Sequence, residues 1–169
     1  MNSLTALSPA QRMYAVYAAY GKAMMVAHSL ERQLATLLIV YVTEKTAPGP
    51  QREEELGRIG RITMGQLISR FTVAYSPSEE LQEELDNMLF FRNELAHRIV
   101  DSVVSATMEK EWEGKLIQEL SEWTEMFRET TKLLEPYSEA WFRKQGIDRN
   151  KLLQNILSIY PGVGVRHEA

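Results

Sequence analysis

The sequence predicts an all-α protein, an antiparallel four-helix bundle with a short further helix near the C-terminal end. Three observations carry that expectation. Apolar residues recur with the three-and-four spacing of amphipathic helices through most of the chain. Proline and glycine clusters with adjoining capping residues interrupt that spacing at only a few places. The β-branched run between Asp101 and Ala106, Ser-Val-Val-Ser, is too short and isolated to make a sheet and reads as a connection.

The first helix is expected from Pro9 to about Val42. Ser8 supplies a cap and Pro9 suits the first helical position, where no amide hydrogen is needed. Its apolar stripe, Met13, Val16, Tyr17, Tyr20, Met24, Ala27, Leu30, Leu34, Leu37, Leu38 and Tyr41, is wide enough to meet two neighbours. Gly21 lies inside it at a cost of about 1 kcal/mol relative to alanine. Thr46-Ala47-Pro48-Gly49-Pro50 forms a loop, because each proline lacks a donor and restricts the residue before it.

A second helical stretch covers about Glu53 to Tyr75, with a break near Gly60 and its more apolar part, Met64, Leu67, Ile68 and Phe71, opening at Ile62 or Thr63. Ser76-Pro77-Ser78-Glu79 has the capping-box form, so a third helix is placed from 77 to about 99, with Leu81, Leu85, Met88, Leu89, Leu95 and Ile99 in period. A fourth runs from about Met108 to Leu134, with an extension past Pro136 through Trp141 to Lys144, a kink at the proline and Gly146 as its end. Asp148 caps a short last helix to Ile159, and 160–169 is expected to be a mobile tail.

Composition bounds the function. At 169 residues and 44% apolar content the chain can bury one sizeable core, so 1–169 reads as a single domain. With no cysteine it can hold neither disulfides nor a cysteine-ligated zinc. The N-terminal residues lack the basic and continuous apolar regions of a secretory signal, and no run approaches about 18 uncharged apolar residues. A cytoplasmic protein without membrane contact is the expectation. A net charge of −4 and a pI near 5.5 mean that any RNA contact must be local. Arg58, Arg61 and Arg70 make one locally basic segment, and Arg143, Lys144, Arg149 and Lys151 another. Each reads first as a solvated helix face rather than a phosphate track.

The residues with most chemical content are Arg92-Asn93-Glu94-Leu95-Ala96-His97. By composition, arginine and histidine five apart occur in roughly one chain in five of this length, and the intervening asparagine reduces that to roughly one in a hundred, so Asn93 carries most of the specificity. Asn93 and His97 share a helix face, while Arg92 projects about 140° away from His97 around the axis. Two such helices about a two-fold axis would bring both residue types to one cleft.

This segment resembles the signature of the HEPN superfamily, an arginine followed by a polar residue and then by a histidine near the end of the third bundle helix. Thr63-Met64-Gly65-Gln66-Leu67-Ile68 is similar to the opening of the preceding helix in some bacterial members, and the resemblance spans about Met13 to Glu135. Ile99 stands where the nucleotidyltransferase-paired branch has tyrosine. The resemblance implies a metal-independent endoribonuclease, toxin-like or defence-like, acting as a homodimer and controlled by a separate antitoxin or regulatory protein. His97 would transfer protons at the RNA 2′-hydroxyl, Arg92 would hold the phosphate, and Asn93 would orient the histidine or bind RNA. Arg98, Arg58 and Arg61 are further candidates for RNA contact.

Other readings stay open beside it. Arg92 and His97 can instead serve the C-terminal end of a helix by bonding its last carbonyls. A non-catalytic helical module binding a protein, RNA or nucleotide is the alternative function. His28, three before Glu31, is two ligands short of a metal cage, and the set His28, Glu31, Glu83 and Glu84 lacks the paired Glu-x-x-His motifs of a di-iron bundle. Glu53, Glu54 and Glu55 face different ways on a helix, and Trp112, Trp123 and Trp141 read as core or dimer surface. With no glycine-rich phosphate loop or nucleophile elbow, neither a metal nor another cofactor is expected.

Overall fold

In a computed structural model, which describes residues 7–97 and 112–148, the hydroxyl of Ser8 accepts the Gln11 amide while the Gln11 side chain accepts the Ser8 amide. This reciprocal cap starts α1, Pro9–Lys45. The helix runs unbroken through Gly21 and three residues beyond Val42. Val16, Ala27, Leu30, Leu34, Leu37 and Leu38 of the expected stripe are buried, Ala23 joins them unexpectedly, and Tyr17 lies outside the core at 60% exposure.

The expected stretch from Glu53 to Tyr75 is two helices, α2, Pro50–Ile59, and α3, Met64–Tyr75. Arg61 donates its amide to the Arg58 carbonyl in the turn between them. Thr63 then caps α3, its hydroxyl accepting from Gln66 N and the Gln66 side chain accepting the Thr63 amide at 3.0 Å.

α4 is Glu79–His97, and its start corrects the expected cap. Ser76 is taken by the end of α3, where it adopts the left-handed conformation (φ 46°) and donates its amide to Thr72. The cap falls instead to Ser78, whose hydroxyl accepts from Leu81 N at 3.3 Å. The backbone amide of Glu80 and the Ser78 hydroxyl hold the Glu80 carboxyl below its ordinary range.

α5 is Trp112–Leu133, followed by α6, Glu135–Lys144. The expected kink at Pro136 is a full break at Leu134, since a proline there would remove a helical hydrogen bond and crowd the preceding turn. The chain divides into two compact units at this point, between Leu134 and Glu135. α6 ends as expected at Gly146 (φ +67°), where the Ile147 amide reaches back to the Phe142 carbonyl in a Schellman-type closure. The connection 101–106, the start of a helix at Met108, Ile99, the last helix to Ile159 and the tail 160–169 lie outside the described residues.

The structure is all-helical among the described residues, with no helix long and apolar enough to cross a membrane. α1 is central: it packs on α2, α3, α4 and α5, while α4 also packs on α3 and α5. Leu30, Leu34, Phe71, Leu85, Met88, Leu95, Leu120 and Phe127 are fully enclosed. Each contributes about 1.5–3 kcal/mol by leaving water. Phe91 of α4 meets Trp123 of α5 with ring centroids 5.2 Å apart. The buried hydroxyls of Thr124 and Thr130 donate to carbonyls one turn back, so they carry no unmet polar cost.

Two polar contacts set the direction of α4 against α1. Tyr20 donates its hydroxyl to the Leu95 carbonyl at 3.2 Å, and Arg92 donates Nε–H to Glu31 Oε1 at 2.6 Å. Higher numbers on α4 meet lower numbers on α1, so the two helices are antiparallel.

Candidate functional site

The last two turns of α4 carry Arg92, Asn93 and His97. Leu95, between them in sequence, is completely buried and fixes the rotation of the helix about its axis. That rotation leaves Asn93 and His97 on the exposed side and Arg92 on the flank facing α1. Within one helix, Arg92 and His97 are separated by about 7.5 Å along the axis and about 140° around it.

Among the described residues Arg92 bonds no carbonyl at the end of its helix; its Nε–H goes to Glu31, and the nearby Leu95 carbonyl accepts from Tyr20. The Arg92 side chain is 30% exposed and that of Glu31 17%, so the pair is partly withdrawn from water. With Nε committed, the terminal guanidinium nitrogens bond no other described residue. They form the fork suited to two phosphate oxygens. Asn93 and His97 make no side-chain hydrogen bond to another described residue.

Glu31 has a second neighbour. Its Oε2 lies 3.5 Å from Nδ1 of His28, one turn earlier on α1, an ion-pair distance. The carboxylate thus joins a histidine and an arginine that are far apart in sequence. Among the described residues no three histidine or acidic side chains are grouped as metal ligands, and Glu31 is directed at a cation already present in the protein.

The other basic candidates are not part of this cluster as far as the described residues go. Arg58 is paired on its own helix with Glu54 at 2.6 Å and with Glu55 at 3.8 Å, and Arg70 of α3 also pairs with Glu55. Arg61 is exposed in the α2–α3 turn. Arg98 lies outside the described residues.

Sequence reasoning singled out Arg92, Asn93 and His97 but not Glu31 as the partner of Arg92. The one available signal was the His28–Glu31 spacing, which puts both on one face of α1. No family model, curated protein or solved structure matches the chain.

Proposed function

We propose that the chain is a HEPN-type, metal-independent endoribonuclease whose main helices form a four-helix bundle and whose active unit is a homodimer. In this reading Arg92 grips the scissile phosphate with its terminal nitrogens and offsets charge that builds on its oxygens. His97 exchanges a proton with the 2′-hydroxyl or the leaving oxygen, a task suited to an imidazole near neutral pH. Asn93 orients the histidine or the RNA. Because Arg92 and His97 diverge around one helix, a second copy would complete the cleft. A separate antitoxin or regulatory protein would restrain the enzyme in the cytoplasm.

The observation that supports this reading is that Asn93 and His97 are open to solvent on the last two turns of α4, with Arg92 held by a carboxylate on the flank facing α1. The test is RNA cleavage in EDTA by wild type, Arg92→Ala and His97→Ala. Wild type should leave 2′,3′-cyclic phosphate ends, and each variant should lose about 10²–10⁴-fold in rate. Full cleavage by His97→Ala would overturn the assignment.

A second reading, a non-catalytic interaction module, is favoured by a different observation. Tyr14, Tyr17 and Met25, exposed by 73, 60 and 72%, share one outward face of α1. It expects a defined oligomer or partner complex and no RNA turnover.

A further inference from the structure

Cutting RNA through its own 2′-hydroxyl requires two proton movements. The 2′-oxygen forms a bond to phosphorus and releases its proton, while the bond from phosphorus to the 5′-oxygen breaks and that oxygen gains one. The products are a 2′,3′-cyclic phosphate and a 5′-hydroxyl. Within one protomer α4 offers a single histidine, His97, for one of these transfers.

The contacts of Glu31 identify a group for the other. One carboxylate oxygen holds Arg92 Nε at 2.6 Å, and the other lies 3.5 Å from His28 Nδ1. At 3.5 Å this is an ion-pair distance, and a carboxylate beside one ring nitrogen biases the proton to that side and leaves the opposite nitrogen to exchange protons. The His28 side chain is 67% exposed, so a substrate can reach it. The antiparallel register places it well: His28 lies about 4.5 Å below Glu31 along α1, towards Tyr20, which bonds Leu95. The last turns of α4 run alongside that stretch. Arg92 is therefore tied to His28 through one shared carboxylate, whereas its own helix turns His97 away from it.

Building on the ribonuclease reading above, we propose that His28 is a second catalytic residue, moving a proton at Nε2 on the phosphodiester held by Arg92, with Glu31 as the positioning residue for both. His28 carries one of the two transfers and His97 the other. The two imidazoles finish a cycle with protonation states exchanged and recover through solvent.

The experiment uses the full chain, a ribonuclease-sensitive RNA oligonucleotide and EDTA, with His28→Ala, His28→Asn, Glu31→Gln and His97→Ala compared in single-turnover reactions. Asparagine retains a donor for Glu31 but cannot shuttle a proton, so His28→Asn should fall as far as His28→Ala, about 10²-fold or more. Both should bind a non-cleavable 2′-O-methyl RNA like wild type and keep its helical circular dichroism. Nitrogen-15 NMR should find the neutral His28 ring protonated at Nδ1 in wild type, with that preference lost in Glu31→Gln. Wild-type rates in His28→Ala beside an inert His97→Ala would overturn the role of His28 and leave the nuclease reading standing. A neutral His28 ring protonated at Nε2 would likewise overturn it. No cleavage by wild type across tRNA, mRNA and rRNA would overturn both.

Discussion

Removing Glu31 and Arg92 singly and together should reveal a coupling of about 1.5 kcal/mol, larger than a surface ion pair provides and smaller than a buried one. Two unit charges about 4 Å apart interact by about 4 kcal/mol at an effective dielectric near 20, before desolvation is subtracted. Exposed pairs retain about 0.2–1 kcal/mol of that, and breaking a fully buried pair costs about 3–5 kcal/mol. With side chains 30% and 17% exposed, this pair falls between the two limits, since water can still reach whichever partner remains. Glu31→Ala and Arg92→Ala should each destabilise the fold by about 2 kcal/mol, and the double variant by about 2.5 kcal/mol. The assay is urea unfolding followed by far-ultraviolet circular dichroism, with the denaturant slope checked for constancy. The Arg128–Glu125 pair of α5 provides an internal comparison. Its side chains are 43% and 60% exposed, and its coupling should be about 0.3 kcal/mol and vanish in 0.5 M salt. An Arg92–Glu31 coupling no larger than that comparison would refute the claim that Glu31 holds the arginine in place.

Gly21→Ala should stabilise the protein by about 0.5–1 kcal/mol in the same assay, because Gly21 is interior to α1 and an added methyl would meet nothing within 4 Å; a loss would mean that the helix needs the glycine. Arg12, bonded at 3.0 Å, holds the Glu113 carboxyl below its ordinary value of 4.5, so the stability it contributes is present above that value and lost as pH falls through the lowered one. The difference between wild type and Glu113→Gln should therefore shrink below pH 4.5, and a constant difference would exclude the linkage. Burial, with Glu44 and Tyr41 nearby, pushes the Tyr75 phenol up to about 12, so its contribution is full below pH 10 and lost as pH rises through about 12. Tyr75→Phe should remove a late step from the alkaline absorbance titration and, by deleting the 2.7 Å bond to the Leu37 carbonyl, cost about 1 kcal/mol.

The parts of the fold that were legible in the sequence are those decided within a few residues. Ser8 and Pro9 mark the start of α1 by themselves, and Thr63 is one of the two positions expected to open the part that is α3, though its Gln66 partner is not among the expectations. Ser76 is the expected cap of α4, but the way α3 closes takes Ser76 and leaves the cap to Ser78. Pro136 announced an interruption, but local chemistry did not separate a bend from a break. The site divides in the same way. Arg92, Asn93 and His97 are readable because six consecutive residues contain them, whereas the Arg92–Glu31 contact joins residues 61 apart and follows from the register of α4 on α1. The Arg12–Glu113 bond, between residues 101 apart, was invisible for the same reason.

The central position of α1 has a consequence during synthesis. Its most extensive packing is with α5, which is complete only at Leu133, almost ninety residues after α1 ends at Lys45. At roughly 5–20 residues per second, the ribosome takes about 4 to 18 s to make that interval. Throughout it, the buried side of the first helix has been translated but lacks its most extensive cover. A nascent chain stalled before residue 112 should therefore crosslink to holding chaperones through that side, and one stalled well beyond Leu133 should not.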